Sequence, residues 1–158
     1  SSSIMADDCT VSPDTMIDMI SDDLLEATEV FMGNARQGMG EWFGLMNTGE
    51  KHLDYEMSKL RSLRMNLLQE EFDEYMKGER HNDLTEIVDG LLDVIVIAYG
   101  TLLAYIGPDR THEAAKEVAK SNLAKVIGEG LPLFRDDGKV IKPEGWTPPN
   151  IKGAVWGS

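Results

Sequence analysis

The chain has 158 residues, a formal net charge of −13, 42% hydrophobic and 27% charged residues, and one cysteine, Cys9. This is the length of one ordinary domain with a globular composition, enough to build a core without disulfides. The acidic balance argues against duplex DNA or RNA as a partner, since the phosphate backbone rewards clustered Lys and Arg, and a lone Cys gives neither a disulfide framework nor a zinc cluster.

The opening "SSSIMADDCT" has no basic segment and no long apolar stretch. No signal peptide is expected from it, Ser1–Ser3 read as a cloning remnant before Met5, and residues 1–12 are expected to be flexible. A reducing cytoplasm is the expected location.

Ser12-Pro13 is a cap residue followed by Pro at a first helical position, and Ile17, Ile20, Leu24, Ala27 and Phe31 follow at spacings of three and four. Gly33, Gly38, Gly40, Gly44 and Gly49 break that helix into a glycine-rich loop, "GMGEWFGLMNTG". Trp42 and Phe43 in the loop read either as local packing or as a stacking platform for a base. A second helix is expected from about Leu53 to Met76, ended by "KGERHND". A third runs from Asp83 to Ile106 and is stopped by Gly107-Pro108. A fourth runs from Thr111 to Ile127 and stops at "GEG". The uncharged apolar run Val94–Pro108 falls short of the roughly 18 to 20 residues of a membrane span and reads as a buried core helix. "RDDGKV" is a tight turn between short extended pieces, and the Pro- and Gly-rich remainder is expected to be extended. The expected fold is therefore all-α, with a helical domain over 13–127 and a small β-hairpin with an extended tail over 128–158.

The acids carry the chemistry. On a wheel of about 100° per residue, Glu71 and Glu74 continue the sector of Leu60, Leu63 and Leu67. Glu86, Asp89 and Asp93 lie within about 60° of one another, and Ile97, Gly100 and Ala104 extend that line, small residues that let another helix approach. Two helices thus aim four or five carboxylates at one point. Such a cluster must take up protons or a cation, with Arg61, Arg64 and Arg80 as candidate basic neighbours. Oxygen donors without His or Cys suit Mg²⁺ or Mn²⁺, and clustered carboxylates are what a two-metal phosphoryl site needs. Each motif alone has a plainer reading: E-x-x-E recurs on any acidic helix, and Asp83-x-x-Glu86 fits a capping box. His81 and His112, near helix ends, read as exposed. There is no E-x-x-H pair for a di-iron site, no Walker loop and no G-x-G-x-x-G.

"EEFDE" followed by "EIVDGLLD" resembles the E-x-x-E…E-x-x-D signature of the all-α NTP pyrophosphatases, the group of MazG, dimeric dUTPases and phosphoribosyl-ATP pyrophosphohydrolases. "VAKSNLAKV…FRDDGKVIKPEGWTPPNI" is similar to the C-terminal stretch of the phage-type MazG/MazZ branch, so the resemblance covers about Leu60 to Ile151. It implies a four-to-five-helix bundle of the MazG and dimeric dUTPase type. It also implies hydrolysis of a nucleoside triphosphate to its monophosphate and diphosphate with two or three Mg²⁺ or Mn²⁺ ions per site. Residue by residue, it makes Glu71, Glu74, Glu86 and Asp89 metal ligands and puts Asp93, Asn122 and Lys125 toward the substrate.

From this follow Glu71 as the general base, Lys125 facing the leaving diphosphate, and Lys139 and Lys142 closing over the phosphates from the tail. Trp42 is the expected base contact, with Asn34, Gln37 and Asn47 flanking its loop. The leaning is to dGTP. A dUTPase- or dCTPase-like enzyme, a broad house-cleaning pyrophosphatase, and a helical nucleotide-binding or interaction module without turnover are the alternatives. Leu91, Leu92, Ile95 and Val96, on sectors away from the acids, call for cover by a second subunit in a homodimer or homotetramer. No nucleic-acid or membrane partner is expected.

Overall fold

The computed structural model describes residues 22–35 and 55–157. Its described elements are α1 (Asp22–Asn34), α2 (Tyr55–Arg80), α3 (Leu84–Leu123) and α4 (Ile151–Trp156). The fold is all-α; among the described residues the only β pairing is an isolated antiparallel bridge between Phe134 and Val140. The expected start of the first helix and the loop with Trp42 and Phe43 lie outside the described residues. Two compact units are formed, Asp23–Thr111 and the chain from His112 onward.

In the first unit α2 and α3 make an antiparallel hairpin. α2 runs on to Arg80, through "KGER", and ends where Asn82 adopts φ 53°. There Asp83 N–H closes back onto Gly78 O at 3.0 Å, satisfying a terminal carbonyl. The Asp83 carboxylate then accepts from Glu86 N–H at 3.2 Å and starts α3. This is half of the expected capping box, because the Asp83 N–H goes to Gly78 O rather than to the Glu86 side chain. The register of the hairpin is set by glycine. A Cβ at Gly78 would lie 2.9 Å from Ile87 N, and one at Gly90 2.9 Å from Tyr75 Cα. At both points backbone meets backbone.

α1 packs where Met32, Leu103 and Ala104 form the buried core, flanked by Leu60, Tyr99 and Tyr105. Gly100 lies under the Arg64 guanidinium and the Met32 sulfur, so the small residues of α3 admit another helix, as their line predicts. The inward stripe of α1 differs from the expected one. Thr28 and Met32 are buried while Ala27 and Phe31 are exposed. The helix is turned by about one residue relative to its apolar pattern, and Thr28 satisfies its hydroxyl on Leu24 O at 2.7 Å. In α2, Arg64 is buried and Leu63 exposed. Arg64 Nε donates to Thr101 Oγ1 (3.0 Å) and Nη2 to Ile97 O (2.8 Å). Burial lowers the guanidinium's pKa, and these bonds hold the charged form in place.

Gly107 (φ 81°, ψ 170°) breaks α3, as Gly107-Pro108 predicts. The helix resumes at once with Pro108 in a first-turn position that needs no N–H, earlier than the expected Thr111. By length and composition α3 is apolar enough to cross a membrane, a property it shares with packed core helices. Its outer stripe of Leu84, Val88, Leu91 and Ile95 stays exposed.

In the second unit the helical part of α3 ends at Leu123, four residues before the expected Ile127. A turn at 135–138 follows, closed by Arg135 N–H to Lys139 O (2.7 Å) and Ile141 N–H to Leu133 O (2.8 Å). The Arg135 guanidinium grips Asp137 and holds its carboxyl below the usual range. The tail does not stay extended. Asn150 accepts from Gly153 N–H (3.0 Å) and starts α4, and its own N–H donates to Glu117 Oε1 (3.0 Å).

Candidate functional site

The α2–α3 hairpin has two unlike faces. On α2, Met65, Leu68, Phe72 and Met76 recur at spacings of three and four and are all exposed. With Val94 and Gln69, the first three line an apolar groove. The α3 stripe of Val88, Leu91 and Ile95 falls on the same side, because the helices are antiparallel and their wheels turn in opposite senses. The other side carries the acids.

At its centre Glu71 and Asp93 meet. Both are half-buried, and they lie close enough for Asp93 to act on the Glu71 carboxyl. Burial raises the Glu71 pKa most, followed by its interaction with Asp93 and the charges of Glu74 and Glu70. Burial and these neighbouring negative charges disfavour the ionised form of Glu71. Glu74, Glu86 and Asp89 are exposed. Glu74 therefore lies at the rim of the α2 inner face rather than within it, and the inward line of α2 runs through Leu60, Arg64, Leu67 and Glu71. Among the described residues no three His, Cys, Asp or Glu side chains are grouped to hold a metal ion. The donor set is nonetheless all carboxylate oxygen, the chemistry that Mg²⁺ and Mn²⁺ take.

The other expected substrate residues lie in the second unit. The Asn122 Oδ1 accepts from Lys125 Nζ at 3.3 Å. Lys139 is exposed; its backbone N–H donates to Asp137 Oδ1 (3.1 Å). The ammonium groups of Lys125 and Lys142 both sit over the Trp146 ring, at 4.9 and 5.1 Å from its centroid. Trp146 in turn donates through Nε1 to Ser121 O at 2.7 Å. Trp42 lies outside the described residues.

Arg64, named from the sequence as a candidate basic neighbour of the acids, is buried within an apolar stripe and donates to Thr101 and the Ile97 carbonyl. Trp146 escapes the sequence reading. Trp146 carries a signal that points to it, a large aromatic in a Pro- and Gly-rich tail four residues after Lys142, where an unpacked indole would be costly.

No protein-family model matches the chain, and no curated protein is similar to it.

Proposed function

We propose that the chain is a metal-dependent nucleoside triphosphate pyrophosphohydrolase with a MazG-like helical bundle, acting in the cytoplasm and of phage type. The single observation that carries this reading is the Glu71–Asp93 pair. It lies on the acid side of an antiparallel hairpin whose two helices bear the E-x-x-E and E-x-x-D motifs. Neighbouring carboxyl groups whose charges oppose one another form a site that favours a cation.

Glu71, Glu74, Glu86 and Asp89 would hold Mg²⁺ or Mn²⁺, which when bound lowers the pKa of water and offsets phosphate charge. The chain's residues do the rest. Glu71, its pKa raised by burial and by its acidic neighbours, takes the proton of the attacking water. The water oxygen bonds to phosphorus at the α–β linkage, the bridging P–O bond breaks, and diphosphate leaves with the electron pair. Asp93 keeps Glu71 oriented. Lys125, Lys139 and Lys142 meet the charge on the leaving group. The exposed apolar side of the hairpin supports assembly as a homodimer or homotetramer.

The same apolar side favours one other reading, a helical interaction module without turnover. Diphosphate release separates the two. With Mg²⁺ or Mn²⁺ the protein is expected to convert (d)NTP to (d)NMP and diphosphate, and chelation by EDTA to abolish this. Turnover undiminished in chelator sinks the metal-dependent site. No release from any common NTP or dNTP leaves the interaction module.

A further inference from the structure

We infer that Trp146 is a positioning residue that gathers Lys125 and Lys142 into one receptor for the phosphate chain of the substrate. The inference rests on the pyrophosphohydrolase reading but makes its own demand. Lys125 comes from the turn after α3 and Lys142 from the tail, 17 positions apart in the sequence (142 − 125). A free lysine side chain has many rotamers, and ordering two of them costs entropy. A shared indole removes much of that cost, since an ammonium is held over the ring by its quadrupole. The ring itself is fixed. Its Nε1 donates to Ser121 O at 2.7 Å, in the last turn of α3, where the carbonyls lack helical partners. The Asn122 Oδ1, one residue on, accepts a hydrogen bond from the Lys125 ammonium at 3.3 Å. An ammonium on a π face keeps protons free for another acceptor, so the pair stays able to donate to phosphate oxygens. Glu129 and Glu144 line the depression beside Trp146. They make the site poor for a monoanion and leave a multivalent chain such as triphosphate as the ligand that outcompetes them.

The test is titration of the full chain with inorganic triphosphate in Mg²⁺, followed by calorimetry, for the wild type and for Trp146→Phe, Trp146→Leu, Lys125→Met and Lys142→Met. Phe keeps a π face without the N–H, whereas Leu keeps bulk without the face. The expected result is that Trp146→Leu weakens binding roughly three- to tenfold and each lysine variant at least as much, while Trp146→Phe stays near wild type. In turnover Trp146→Leu raises KM with kcat little changed. Equal binding by Trp146→Leu and wild type overturns the inference. So does equal weakening in the Phe and Leu variants, which would make the Ser121 bond the residue's whole role. Should Trp146→Leu not fold, the wild type serves by NMR. Triphosphate must then shift the ring-shielded methylenes of Lys125 and Lys142, and unmoved signals overturn the inference. Trp146-dependent triphosphate binding without nucleotide turnover would remove the enzyme reading and leave this site standing.

Discussion

Glu71 of α2 and Asp93 of α3 meet across the hairpin as two half-buried acids, and the neighbourhood of Asp93 helps to raise the Glu71 pKa. The Glu71 charge is a cost to the metal-free fold, because its ionisation is opposed by burial and by the neighbouring acids.

The sign of its pH dependence follows. The folded-state pKa of Glu71 is raised above its unfolded value. Between those two values the folded state binds the extra proton, so stability falls as pH rises through that window and stays lower above it. In EDTA, Glu71→Gln is therefore expected to raise Tm at pH 7. The gain should vanish as pH drops below the ordinary carboxylate range, where both states are protonated. Melting curves from pH 4 to pH 8 read this directly, and a Tm gain that is flat with pH would mean Glu71 is not the group under strain.

Mn²⁺ should act in the opposite sense to this repulsion. A ligand that binds only the folded state stabilises it by mass action, so Tm is expected to climb with Mn²⁺ concentration. Glu74→Gln should blunt that climb while leaving apo stability equal or higher, since Glu74 is exposed and its charge burdens Glu71. Unfolding of Glu74→Gln without metal would instead make Glu74 a structural residue. Thermal shift with and without Mn²⁺ measures both.

The glycines give a test of the hairpin itself. At Gly90 an added Cβ meets Tyr75 Cα at 2.9 Å and Tyr75 N at 3.1 Å, backbone atoms that cannot swing aside. Overpacking of this kind costs about 1–3 kcal/mol, against a helix-propensity gain of about 1 kcal/mol for Ala over Gly, so Gly90→Ala should lower stability. At Gly33, in the last turn of α1, nothing lies within 4 Å of the new Cβ. Gly33→Ala should add up to about 0.5–1 kcal/mol. Urea melts of the two variants should move in opposite directions. A stabilised Gly90→Ala would mean the helices do not approach at that point.

The parts legible in the sequence are those fixed locally. Gly107-Pro108 breaks the helix because no neighbour is needed for that, and Asp83 caps α3 for the same reason. The acid side of the hairpin was legible too, since spacing alone sets which residues share a sector. What a helix turns inward is decided by its neighbours, and there the pattern misled. Arg64 takes the place expected of Leu63 because Thr101 and the Ile97 carbonyl receive its protons. Met32 takes the inward place expected of Phe31 because α3 offers Gly100 and Ala104 opposite it. Glu74, Glu86 and Asp89 stay exposed although they share sectors with core residues. Trp146 finds its partner at Ser121, 25 positions away, a distance no local pattern spans.

The substrate is the last expectation, and dGTP is its content. The tail from Val118 to Ile151 resembles the phage branch, where deoxynucleotide pools matter most. A purine offers the larger stacking surface to Trp42 and Phe43. Asn34, exposed at the end of α1, stands at the entry of that loop with an amide suited to exocyclic groups, and Gln37 and Asn47 follow in the sequence. If a bound base buries such groups, they reject the wrong base strongly, because it leaves them unpaired. The measurement is kcat/KM for dGTP, dATP, dCTP, dUTP and GTP under one metal, with dGTP expected highest. A preference for dUTP or dCTP overturns the assignment, and a flat profile makes the enzyme a house-cleaner with Trp42 as packing. Trp42→Ala then separates the roles. A KM raised roughly fivefold or more with an unchanged Tm corresponds to the loss of about 1 kcal/mol or more of stacking, whereas a lowered Tm with KM unmoved assigns Trp42 to the fold.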